Sequence, residues 1–370
     1  MLHCHSTFSA GGKEVRCARL MNAWGAALDH TVVSGQPGAM GAAALIDAQV
    51  TVHFPADFPA LTGRPTPGRL STIARAMQGF DLVCTYNWGA MDVVMAHRVF
   101  AKRFGLPPLV HHEDGFNEDE ALRLKPARNL YRRAALAGAA RLIVPSTGLK
   151  RIALDIWRQP RARVERIVNG IDTAAFAGPT KAIALPIAKP AGQRWVGTLA
   201  GLRAVKNLPL LVEAMATLPQ DWHLVIVGEG PEREAITAAA AGHGIADRVH
   251  LPGAVSDPAS VIGLFDIFAL SSRSEQFPLS VVEAMAAGLP VAAPDVGDIA
   301  AMVAAENRAH ITAPGDAQAL GTALAELAAD PALRKRIGTA NQVRARAEYD
   351  FAAMLARYHA AYAGAMGRDF

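Results

Sequence analysis

Residues 267–293 read IFALSSRSEQFPLSVVEAMAAGLPVAA. A short apolar run, 267–270, gives way to a polar loop. A helical pattern then spans 278–288, and a second short apolar run follows at 291–293. Strand, helix and strand in this order make one βαβ unit, the building block of a parallel sheet covered by helices. Proline is at home in the first turn of a helix, where its missing N–H costs no hydrogen bond. Pro278 therefore marks the helix start, Glu275 lies in the loop before it, and Glu283 sits one to two turns inside. Two carboxylates with seven residues between them flank a helix N-terminus. The unpaired N–H groups and positive dipole end at that point suit an anion such as a phosphate.

The same rhythm extends in both directions. Within the second half it gives further strands at 195–199, 222–227, 249–251 and 310–312. Helices are expected at 207–218, 231–242, 258–265 and 317–329. The first half gives strands at 1–5, 31–34, 50–53, 82–85, 108–111, 142–145 and 164–168, with helical patterns such as 12–28, 88–104 and 118–139. The first strand is short: either the sheet begins abruptly or the true start lies upstream of Met1. Residues 176–193, rich in Ala, Pro and Lys without a period, read as a linker. Two long helical patterns, 331–348 and 350–364, close the chain. The expected fold is α/β: a first Rossmann-like doubly wound domain at 1–175, the linker, a second at 194–348, and a terminal helical segment at 349–370. Two such domains facing each other would set their strand C-terminal ends along one cleft, where open α/β sheets bind ligands.

Composition narrows the class. At 370 residues the chain suits two domains, and no run of eighteen apolar residues exists to span a membrane. No signal-peptide pattern follows Met1. The three cysteines, Cys4, Cys17 and Cys84, are odd in number and lack CxxC spacing. That points to a reduced, cytoplasmic compartment and away from a metal cage. Residues 1–170 hold 21 Lys+Arg against 13 Asp+Glu, and residues 171–370 hold 16 against 20. The basic half is suited to an anionic partner, with lipid headgroups one candidate and solvated helix faces the competing reading. No aromatic residues interleave with the cations in a stacking pattern, which speaks against nucleic acid.

The unusual residues fall at strand ends. After 195–199 come Arg203 and Lys206, two cations entering a helix, suited to a diphosphate or simply to a solvated helix start. After 222–227 comes GEGPER, in which Gly228 and Gly230 permit a tight turn. Arg233 stands where a dinucleotide fingerprint needs its third glycine, which counts against a nicotinamide dehydrogenase. Near the N-terminus, Gly11 and Gly12 lead into a helix, either for close ligand approach or as an ordinary turn. After 108–111 comes HHEDGF, with His111, His112, Glu113 and Asp114 together on a loop expected to face the cleft. No Ser-His-Asp elbow or convincing metal spacing is visible.

Taken together, Glu275 and Glu283 with AMAAGLPV after them, the GEGP turn, Lys206–Asn207, and Asn169–Gly170–Ile171–Asp172 resemble the retaining glycosyltransferases of family four, which have the GT-B fold. The resemblance is dense from Trp195 to Gly297 and looser in the first half. It implies a nucleotide-diphosphate sugar, UDP- or GDP-linked, as donor substrate, no cofactor, no metal, and a site in the cleft between the domains. Glu283 would hold the ribose hydroxyls and Glu275 the transferred sugar. The backbone of Phe277, Pro278, Leu279 and Ser280 would meet the diphosphate, which Lys206 would neutralise. Gly228 would lie near the donor, and Gly11 and Gly12 would line the cleft. The final helix, around Tyr349 to Tyr358, would cross back onto the first domain. Two departures stand out. The family's Arg five residues before the Lys is Gly201 here, with Arg203 nearby to supply the charge. The family's functional His after the fifth strand falls on His111, His112 or Asp114.

The resemblance implies sugar transfer, with retention, to a glycan, polysaccharide or lipid-linked acceptor in cell-envelope biosynthesis. The setting would be cytoplasmic, with peripheral contact of the basic first domain at the inner face of the membrane. A nucleotide-sugar epimerase on the same scaffold, or a catalytically silent nucleotide-binding member, are the alternatives.

Overall fold

Each apolar run forms a parallel strand. The computed structural model describes residues 1–116, 118–120, 123–177, 185–255 and 257–370. The chain divides into two compact units, residues 1–169 with 354–370, and residues 170–353. The expected linker at 176–193 lies in part (178–184) outside the described residues.

In the first unit the strands are β1 (Leu2–His5), β2 (His30–Ser34), β3 (Val52–His53), β4 (Val83–Tyr86), β5 (Leu109–His112), β6 (Arg141–Val144) and β7 (Val164–Arg166). They form one sheet in the order β3-β2-β1-β4-β5-β6-β7, with each neighbouring pair parallel. β1, β4 and β5 are buried along their whole length, as central strands covered on both faces must be. Leu2, Ile73, Val93, Leu109, Val144 and Trp157 mark the core on one side of this sheet.

The second unit repeats the plan with β8 (Arg194–Leu199), β9 (Trp222–Val227), β10 (Val249–Gly253), β11 (Ile267–Ala269), β12 (Val291–Pro294) and β13 (Ile311–Thr312). Their order is β10-β9-β8-β11-β12-β13. Val196, Leu211, Ile226, Ile267 and Leu324 lie in its core. In each sheet the strand order reverses once, between β1 and β4 in the first and between β8 and β11 in the second. The crossover connections leave in opposite directions at such a point, and a crevice opens beyond the strand ends.

Some helices differ from expectation. The pattern at 258–265 forms two single 3-10 turns, Pro258–Ser260 and Ile262–Leu264. Gly263 inside the second turn and the β-branched pair Val261–Ile262 are weak helix formers. The pattern at 118–139 resolves into a 3-10 turn at Glu118–Glu120 and a helix at Pro126–Leu136. The last helix, Phe351–Met366, buries Tyr358 and Tyr362. Residues from Met354 onward belong to the first unit. Tyr362 Oη lies 2.9 Å from His112 Nε2, and the Arg357 guanidinium donates to the Arg166 carbonyl at 2.5 Å. Tyr349 stays with the second unit, its hydroxyl donating to the Met302 carbonyl at 3.1 Å.

Candidate functional site

The second unit gathers most of the sequence-selected residues at its reversal point. Lys206, after β8, and Glu275, after β11, meet there: Nζ lies 2.5 Å from Oε1. Ser272 Oγ donates to the same carboxylate oxygen at 2.7 Å. Two further contacts lace the loops together. Ser271 Oγ donates to the Lys206 carbonyl at 2.9 Å, and the Arg273 N–H donates to the Val205 carbonyl at 2.8 Å. The Lys206 and Glu275 side chains remain 16% and 11% exposed, so the pair is partly dehydrated yet reachable. Arg203 stands exposed just before the 3-10 turn Ala204–Lys206, and its guanidinium has no hydrogen bond or ion pair among the described residues.

The helix after this loop runs Leu279–Ala286, with Pro278 as its extended N-cap at φ −69° and ψ 114°. A helix start leaves its first N–H groups, here those of Leu279 and Ser280, pointing out of the helix end. Phe277 is buried edge-on to Tyr349, at 5.6 Å between ring centroids. Glu283 lies in the second turn, half-buried. The carboxylates therefore stand as the spacing predicts, Glu275 in the loop and Glu283 inside the helix.

Glycines hold this loop system in place. Gly228 has φ +155°, and a Cβ there would fall 1.9 Å from the Ala200 carbonyl oxygen. The close approach that this glycine permits is thus to protein backbone. The GEG turn clamps the loop that carries Arg203 and Lys206, with Leu202 N–H donating to the Glu229 carbonyl at 2.9 Å. Gly297, at φ +62°, presses on the other loop, where a Cβ would sit 2.5 Å from the Glu275 carbonyl oxygen. The supporting roles of Ser271, Ser272 and Gly297 escaped the sequence reading. The only local signal was the serine pair directly after a strand.

In the first unit, the loop after β1 carries Gly11 and Gly12. Gly11 caps the helix Gly12–Trp24 in extended conformation, and the space where a Cβ of Gly12 would stand is open to 4 Å. Lys13 and Glu14 form an ion pair beside it. Asp114 receives a bidentate pair from Arg16, at 2.5 and 2.9 Å, and its N–H donates to Asn87 Oδ1 at 2.8 Å. Arg16 also donates to Asn169 Oδ1 at 2.7 Å, which gives the first residue of the Asn169–Asp172 segment a place. Burial alone would raise the Asp114 pKa, but the adjacent Arg16 charge and hydrogen bonds hold it below the usual carboxylate value.

The expectation of an exposed His-rich loop is corrected here. β5 runs through His112, and His111, His112 and Glu113 are all buried. His111 Nδ1 lies 2.8 Å from Thr85 Oγ1, and His112 Nδ1 lies 3.2 Å from the Thr85 carbonyl. Desolvation pushes the His112 pKa down to about 3, so the ring is neutral at physiological pH. Glu113 stands 3.5 Å from Arg132 Nε and 3.8 Å from His111 Nε2. Of the four, Asp114 alone reaches partial exposure. The first sheet also brings His3, His5 and Cys17 together in its interior, a grouping that cysteine spacing does not reveal.

Residues 182–344 match the model of the family described as glycosyl transferases group 1, and residues 10–175 match glycosyltransferase family 4. Among curated proteins, the lipopolysaccharide core biosynthesis mannosyltransferase LpsB of Rhizobium meliloti is 32% identical over 47% of this chain and 52% of its own length. The chain spans about half the length of the first curated relatives it matches. Among solved structures, HepE of Anabaena, determined in complex with UDP, superposes with a TM-score of 0.79 at 19% identity, covering 96% of this chain and 97% of that one. Sucrose-phosphate synthase of Thermosynechococcus elongatus gives 0.77 at 21% identity over 99% of both chains. Two parallel-sheet units with these family matches place the chain plainly: it belongs to the glycosyl transferases group 1 family and has the two-domain, Rossmann-like GT-B fold.

Proposed function

We propose that the chain transfers a sugar, with retention, from a nucleotide-diphosphate sugar to a glycan, polysaccharide or lipid-linked acceptor. The observation that carries this reading is the Lys206–Glu275 pair at the reversal point of the second sheet, directly before a helix start. The diphosphate sits against the helix start at Phe277–Ser280, where Phe277, Leu279 and Ser280 carry N–H groups and Pro278 carries none. Lys206 and Arg203 supply positive charge as the glycosidic bond to phosphate breaks. Placing fixed charge where negative charge develops is the usual source of large rate gains. Glu275 accepts from hydroxyls of the transferred sugar, and Glu283 from the ribose. The departing phosphate oxygen takes the acceptor hydroxyl proton as that oxygen bonds to the sugar from the same face. This step needs neither metal nor cofactor, because the lysine, the arginine and the helix end provide the charge. UDP in the HepE structure and the name of LpsB favour UDP or GDP as carrier and a cell-envelope glycan as acceptor.

The first unit takes the acceptor beside Gly11, Gly12 and Asp114. His111 and His112, being buried, do not meet substrate, and Asp114 is held by Arg16 and Asn87. The net positive charge of residues 1–170 favours peripheral contact with anionic membrane. No described helix is long and apolar enough to cross a membrane.

A thermal-shift panel of nucleotide sugars tests the donor, since a ligand bound only by the folded state raises its melting temperature. One nucleotide class should stand out, and the anomeric configuration of the product should match the donor. A flat panel overturns the reading. Donor conversion without an acceptor would replace transfer with epimerisation.

A further inference from the structure

The interior of the first unit holds three ligand-type side chains that sugar transfer does not use. His3 and His5 lie two apart on β1, so both project from one face of the sheet. Cys17 reaches them from the helix Gly12–Trp24. One ring nitrogen from each histidine and Cys17 Sγ all lie within 4.8 Å of one another, and all three residues are buried. His3 Nδ1 is 3.6 Å from Sγ. Two ligands on a tetrahedral zinc ion, with bonds of about 2.1 Å to nitrogen and 2.3 Å to sulfur, stand about 3.6 Å apart.

His5 supplies an independent observation. Both of its ring nitrogens are buried without a hydrogen-bond partner among the described residues, a condition that folded proteins avoid. Stacking on Tyr86, at 3.9 Å between centroids, fixes the ring plane. His3 has an outer partner of its own, an imidazole in the place where metal-bound histidines use a carboxylate, carbonyl or water. Its Nε2 lies 3.0 Å from His30 Nδ1, and a proton donated there leaves the Nδ1 lone pair facing Cys17. The Tyr86 hydroxyl lies 3.0 Å from His3 Nδ1 and 3.4 Å from Cys17 Sγ, so a metal ion that takes the Nδ1 lone pair leaves this hydroxyl to donate to the thiolate.

We infer that His3, His5 and Cys17 form a buried binding site for one zinc-like transition-metal ion. Imidazole and thiolate ligands select such ions over magnesium or calcium. On binding, the Cys17 thiol releases its proton to solvent and the sulfur lone pair forms the metal bond, with no change in oxidation state. The ion would tie β1 to the helix that begins at Gly12, and so fix the Gly11–Gly12 turn. This site departs from the sequence expectation of no metal, and it stands independently of the sugar-transfer reading.

The test uses the full chain, stripped with chelator and titrated with Co2+ and then Zn2+. About one equivalent should bind. Cobalt should give a near-ultraviolet thiolate charge-transfer band that zinc removes, and zinc should raise the melting temperature. Cys17→Ser should abolish the band, and His5→Phe, which keeps the stacking on Tyr86, should weaken binding at least ~10-fold. Cys4→Ser, on the opposite face of β1, should leave the band intact. A folded wild-type chain that binds neither ion overturns the site, whatever the variants do. So does a band that survives Cys17→Ser, or one lost in folded Cys4→Ser.

Discussion

Lys206 and Glu275 pair with each other, and the proposed reaction has them part to meet a diphosphate and a sugar, which sets what single substitutions should do. Lys206→Ala removes the charge proposed to meet the leaving phosphate, and kcat should fall by ~10²–10³-fold with the circular dichroism spectrum unchanged. Full activity would remove Lys206 from the mechanism. Glu283→Ala should raise the nucleotide Kd about tenfold, the equivalent of roughly 1.4 kcal/mol, measured by titration calorimetry. Asp114 gives a prediction of a different kind. Arg16 holds its folded pKa below the unfolded value, despite burial. The stabilisation is therefore fully present above pH ~4 and is lost as the pH falls through the lower folded value. Urea unfolding at a series of acid pH values should show this slope, and Asp114→Asn should flatten it. Arg16→Met, which strands a buried carboxylate, should cost about 3–5 kcal/mol at pH 7.

At the level of elements, the site depends on loops pressed together by glycine. Gly297→Ala would push a methyl against the Glu275 carbonyl in left-handed backbone. It should cost about 1–3 kcal/mol of stability, read from denaturant midpoints, and weaken nucleotide binding in parallel. A neutral Gly297→Ala would mean that the loop has slack. Strands were legible in the sequence because central parallel strands are short unbroken apolar runs, as at 224–227. The start of the helix at 278–288 was legible from Pro278, and the places of Glu275 and Glu283 with it. The pair at 261–262 misled, since apolar content fits a helix whereas β-branching and Gly263 do not favour one. His111, His112 and Glu113 misled for another reason. Four titratable residues in a row look exposed, but the contacts that let them be buried come from Thr85, Arg132 and Tyr362. No local pattern encodes a partner 250 residues away. His3 and His5 were legible as one face of β1, but Cys17 joins them only through the packing of a helix.

Across the whole molecule, charge is divided much as the fold is. The basic residues 1–170 hold all seven described strands of the first unit, and the acidic remainder includes the second unit. Binding to liposomes should therefore rise with the anionic lipid fraction and fall with salt, each basic residue near the surface contributing about 1 kcal/mol. Sedimentation with neutral and anionic vesicles at two salt concentrations checks this, and indifference to both would remove the membrane from the account. In the proposed function the reversal point of the second sheet binds a nucleoside diphosphate through Lys206. Isothermal titration calorimetry of UDP and GDP against the wild-type chain and folded Lys206→Ala tests it most directly. The wild type should bind one diphosphate saturably, and the variant at least ~10-fold more weakly. Equal affinity in the two proteins, or no binding of either diphosphate to the wild type, would contradict it.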